Sequence, residues 1–86
     1  MVRDGDLVAI FHSIHRVMKA EKVLKQAGAD ILLIPVPRQL ASDCGLAIRY
    51  SPGVQATVEE ILRREELLPA EIYRRAGQEY LRLDVS

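Results

Sequence analysis

The sequence predicts an α+β domain, a βαββαβ two-layer sandwich of the ferredoxin-like, split-βαβ kind. Three observations predict it. Residues 7–11, Leu-Val-Ala-Ile-Phe, form a short unbroken apolar run, which reads as a strand buried on both faces. Two stretches with apolar residues at helical spacing each follow a serine, Ser13 and Ser51, the residue type that caps a helix start. Three further strand-like segments fall around those helices in the order β-α-β-β-α-β. Right-handed crossovers then favour an antiparallel sheet of order 4-1-3-2.

The elements follow in turn. After the first strand, Ser13 offers an N-cap, and Val17, Ala20, Leu24 and Ala27 form one apolar stripe. Glu21 and Lys25 make a favourable i,i+4 pair on the solvated side, and Gly28 supplies a helix stop. Residues 31–34 are the second strand, limited by Pro35 and Pro37, which a ladder tolerates mainly at an edge. Residues 38–43 are polar and read as a loop. Cys44 is expected to open the third strand, in which Leu46, Ile48 and Tyr50 share one face and Ala47 and Arg49 the other. Ser51-Pro52 begins the second helix, with Val54, Val58, Ile61 and Leu62 on its apolar side. Glu59–Arg63 and Glu60–Arg64 are further i,i+4 pairs. Residues 71–74 make the fourth strand. Ala76-Gly77 can turn the chain back into an extra C-terminal strand, since residues 78–85 alternate weakly.

The 86 residues form a single domain, with a core over about residues 7–75 and a tail at 76–86. Twelve basic and twelve acidic residues cancel, so no global attraction to nucleic acid or anionic membrane is expected. No apolar run nears the roughly 18 residues that span a bilayer. One cysteine cannot close an intramolecular disulfide. The acid-bearing first six residues lack a signal-peptide pattern. A cytoplasmic protein without cofactor or metal is the expectation. No Cys-x-x-Cys, Walker loop or G-x-G-x-x-G occurs, and His12, His15 and Cys44 offer a zinc ion three ligands with no clear fourth. A two-layer fold leaves one sheet face open, and the first strand is apolar on both faces. That predicts a homodimer, or cover from the C-terminal tail.

The topology suggests where chemistry can gather. The first strand, the start of the first helix and the loop after the second strand share one end of the sheet. Cys44 is therefore expected near His12, Ser13 and the helix N-terminus. Such a terminus carries about half a positive charge and free amides, which favours thiolate over thiol. His12 and His15 add to this as cations, Arg38 can reach an anion, and Gly45 permits close backbone approach. Each residue also has a plain reading. A lone cysteine is most often a small packed hydrophobe, the histidines and Arg38 solvated polar groups, and Ser13 only a cap.

The combination Phe11-His12-Ser13, His15, Ala20-Glu21, the run Leu33-Ile34-Pro35-Val36-Pro37-Arg38, and Ser42-Asp43-Cys44-Gly45-Leu46-Ala47-Ile48-Arg49 resembles the small selenium/sulfur carrier-like proteins. The likeness covers about residues 7–75. The Pro-x-Pro-Arg loop followed by Cys-Gly-Leu-Ala-Ile-Arg is its most specific part. The resemblance implies sulfur or selenium held on Cys44 as a persulfide or selenosulfide, with a donor enzyme and an acceptor protein as partners. The competing reading is a non-catalytic regulatory or protein-interaction module, which this fold also serves.

Overall fold

The computed structural model describes residues 2–85. Strand β1, Leu7–Ile10, leads into helix α1, Ile14–Gln26, then β2, Ile31–Pro35, and β3, Leu46–Tyr50. A single 3-10 turn, Pro52–Val54, precedes helix α2, Gln55–Arg64. Strands β4, Glu71–Ala76, and β5, Glu79–Leu83, complete the chain. The sheet is antiparallel throughout, with order β2-β3-β1-β4-β5. The expected 4-1-3-2 order is present, with the extra strand added beside β4.

Register decides which side chains share a face. Ala9 lies opposite Ile48 and Ile72, and Ile48 opposite Leu33. This row belongs to the core that also takes Val17, Ala20 and Leu24 of α1 and Val58, Ile61 and Leu62 of α2. Both helices therefore cover one face. The opposite face carries Val8, Ile10, Ile34 and Ala47, and these are buried too. Val2 of the N-terminal segment, Val36 and Leu40 of the loop after β2, and Tyr73 and Tyr80 pack on it. Among the described residues, the chain thus covers most of its own second face, and Leu32 stays exposed on it. The tail does contribute, through Tyr80.

The helix ends show what the chain can and cannot signal locally. Ser13 is extended, and its hydroxyl accepts from the Arg16 amide at 3.3 Å, capping α1 as expected. Gly28, at φ 78°, closes α1 with the paired bonds Gly28 N–H to Lys25 C=O and Ala29 N–H to Leu24 C=O, a Schellman motif. Helix α2 closes the same way, through Glu66 N–H to Arg63 and Leu67 N–H to Leu62, but with Glu66 at φ 57° in glycine's place. The start of α2 corrects the expectation: Ser51 makes no side-chain cap bond, and the α-helix begins only at Gln55. Pro52, without an N–H, and Gly53, a weak helix former, are taken up by the tighter 3-10 turn.

Charged pairs also depart from simple spacing. Glu21–Lys25 forms at 3.5 Å, but Glu60 pairs with Arg63 at 2.7 Å instead of Arg64. Glu59 turns inward, where its Oε2 accepts from the buried Tyr50 hydroxyl at 3.0 Å and from Gln55 Nε2 at 3.1 Å. Burial, then the Glu59 charge, pushes the Tyr50 phenol far above its usual range, so it stays a donor that ties β3 to α2. No helix among the described residues is long and apolar enough to cross a membrane.

Ile10, fully buried on the face away from the helices, tests this second core. Ile10→Ala should lower unfolding stability by about 2–5 kcal/mol, the range for buried Ile truncation. Measured by urea unfolding, a loss under about 0.5 kcal/mol would mark a surface position instead.

Candidate functional site

Ile10 lies opposite Ala47, so the start of α1 and the segment before β3 share one end of the sheet. Cys44 sits in that segment, two residues before β3 begins at Leu46. It does not open the strand. Gly45 stands between them at φ 75°, a conformation that costs any residue with a Cβ, and its carbonyl accepts from Val36 N–H at 3.0 Å. The chain is thus bent just after the thiol while pairing with the segment after β2 continues.

Cys44 is half-buried and packs against the helix-side core. Its partners come from its own loop. The Ser42 hydroxyl accepts from the Cys44 amide at 3.4 Å and lies 3.5 Å from Sγ. This is a serine turn closed on a residue two further along. With its oxygen already accepting, the Ser42 hydroxyl has its proton free for sulfur. The Cys44 S–H donates to the Leu46 carbonyl at 3.4 Å. An ionised thiol loses that bond, since a carbonyl has no proton to give, but keeps Ser42 as a donor.

His12 goes elsewhere. Its Nε2 lies 3.4 Å from Glu71 Oε2, and Tyr73 donates its hydroxyl to Glu71 Oε1 at 2.9 Å. Glu71 is opposite Ile10 in register, so the imidazole reaches toward β4, whereas β3 and the Cys44 segment flank β1 on the other side. His12 is itself at φ 57°, the left-handed kink that carries the chain from β1 into α1. His15 is exposed on the first turn of α1. Ser13 is occupied as the α1 cap. Arg38 is exposed in a turn closed by Leu40 N–H to Pro37 C=O at 2.9 Å. Of the six candidates, Cys44 and Gly45 are adjacent, and the other four make no hydrogen bond to Cys44. Among the described residues, no group of three His, Cys, Asp or Glu side chains is arranged to hold a metal ion.

Two features were not singled out from sequence. Ser42 belongs to the thiol's surroundings, and the signal was available: serine two residues before cysteine in a polar loop is a turn pattern. The Tyr73–Glu71–His12 chain needed the register of β1 against β4. The second face also holds a cleft of about 350 Å³ lined by Val2, Ile34, Val36, Pro37, Arg75 and Tyr80. The Pro-x-Pro loop forms one wall of it, and Cys44 is not part of its lining.

The family described as "Putative Se/S carrier protein-like" matches residues 6–74. No curated protein and no solved structure matches.

The Glu71 carboxyl is held below its ordinary value first by the Tyr73 hydroxyl; burial opposes this as the next largest effect, and His12 and Arg82 add smaller lowering contributions. A carboxyl more acidic in the folded chain adds stability above its unfolded value, and loses it as pH falls through the folded one. Tyr73→Phe should therefore lower the urea midpoint at neutral pH. The gap to the native protein should close as pH drops below about 4.5, the ordinary value. A gap that stays constant to pH 2 would contradict this.

Proposed function

Because the chain belongs to the Se/S carrier protein-like family, we propose that it carries sulfane sulfur or selenium on Cys44, between a donor enzyme and an acceptor protein. The observation that supports this is the thiol's setting. Cys44 is the one cysteine of the sequence, half-buried in a loop at a sheet end, with the Ser42 hydroxyl beside it. A lone thiol stays free in a reducing compartment, and the cytoplasm suits the reading.

The chemistry is thiol–persulfide exchange. The Cys44 S–H gives up its bond to Leu46 and loses its proton to solvent. The thiolate then attacks the outer sulfur of a donor persulfide. The donor's S–S bond breaks, the donor leaves as a thiolate, and a new S–S bond leaves Cys44 as a persulfide. An acceptor nucleophile attacks the same outer sulfur, and Cys44 departs as thiolate. Oxidation level is conserved overall, so no external oxidant or reductant enters, and selenium follows the same scheme. Ser42 donates to the sulfur in its anionic forms. Gly45 lets the backbone bend away from the approaching partner.

Intact-mass analysis after exposure to a persulfide-loaded cysteine desulfurase tests the reading. The native protein should gain about 32 Da, one sulfur atom, and Cys44→Ser none. Ser42→Ala should slow loading about twofold to tenfold, the worth of one hydrogen bond. A native protein that takes up no sulfur would remove the carrier reading and leave an interaction module.

A further inference from the structure

The two edges of the sheet are built differently. Val36 donates its amide toward β3, to Gly45. Alternate residues of β2 therefore point their backbone groups outward, and Pro35 is one of them. An outward proline has no N–H to offer, which blunts that edge against further pairing. The edge at β5 has no such device. Arg75 donates to Asp6, on the β1 side of β4, so its neighbours Arg74 and Ala76 face β5. They pair with Leu81 and Glu79. Gly77, at φ 64°, opens the two-residue loop between β4 and β5, which suits a type II′ turn. The inward-bonded residues of β5 are then Glu79, Leu81 and Leu83. The amides and carbonyls of Tyr80 and Arg82 face outward, with no strand beside them among the described residues.

We propose that β5 pairs antiparallel with β5 of a second copy about a two-fold axis at Leu81. In that register Tyr80 of each chain stands opposite Arg82 of the other. These two pairs use outward-facing backbone groups and exchange two bonds each, about four in all. A tyrosine ring facing a guanidinium is a favourable cross-strand pair. Leu81, 41% exposed on the helix side of the sheet, meets its own copy on the axis. A shift of two residues either way sets Arg82 against Arg82 or Tyr80 against Tyr80, and loses the complementary pairs. A shift of one sets each outward-facing residue opposite an inward-bonded one, so the ladder is lost. The result is a continuous ten-stranded sheet, twice the five strands of one chain. The contact is small by the standard of stable interfaces, so the dimer is weak and forms with rising concentration.

Sedimentation equilibrium from micromolar to millimolar protein tests this, read beside a circular dichroism spectrum of each variant. The native chain should shift from monomer to dimer across that range. Arg82→Pro removes one outward N–H and leaves the β4–β5 ladder intact, so it should be monomeric throughout with a native spectrum. Arg82→Ala keeps the N–H and should still dimerise, at higher concentration. Leu81→Lys, which sets two like charges face to face on the axis, should also be monomeric and serves if the proline variant does not fold. A native chain that is monomeric at millimolar concentration overturns the proposal. So does a dimer that survives both Arg82→Pro and Leu81→Lys.

Discussion

Everything in this domain is arranged around a four-residue strand with no exposed side. Leu7, Val8, Ala9 and Ile10 are each at most 1% exposed, so the chain must supply apolar cover above and below them. Two amphipathic helices do this on one face. On the other, cover is assembled from small pieces: Val2, Val36, Leu40, Tyr73 and Tyr80. This explains why the loop after β2 does not stand away from the sheet. Leu40 is drawn onto the second face, whereas Cys44, four residues on, packs toward the helix side. The loop therefore passes round the end of the sheet and delivers the thiol at its rim. The other end of β1 is closed by Asp6, buried, which accepts from the Arg3 amide and from Arg49 Nη1.

Much of this was legible in the residues. The unbroken run at 7–11, the serine and glycine that bound α1, and the alternation at 46–50 specify elements and faces by local chemistry alone. The two prolines told that β2 lies at an edge. What was not legible has a common cause: it depends on register or on a backbone state that any residue type can be forced to adopt. Glu66 closes α2 in the left-handed region without being glycine. Glu59 reads as a solvated helix acid until β3 brings Tyr50 beneath it. The need to cover the second face was legible in β1, but most of the cover was not, because its parts, a valine here and a tyrosine there, show no period of their own.

The site shows the same division. Topology correctly brings Cys44 and the start of α1 to one end of the sheet. It does not say which way a side chain turns there. His12 is pulled across β1 to Glu71, whose carboxylate is fixed from the far side by Tyr73. The thiol is left with Ser42 and Leu46, both from its own strand and loop. Reactivity at Cys44, on this account, rests on a serine hydroxyl, a glycine bend and partial exposure. His12 serves the strand-to-helix corner, and His15 stands exposed on the first turn of α1.

The claim on which the functional account turns is that the folded protein presents this thiol for attack. The rate of Cys44 alkylation by iodoacetamide, compared between the folded protein and the protein unfolded in urea, tests it most directly. The account predicts that the folded protein reacts within about tenfold of the unfolded rate, because a half-buried thiol in a loop needs only local movement. Reaction confined to globally unfolded molecules, with a rate that tracks unfolding stability, would contradict it and make Cys44 a packing residue of the core.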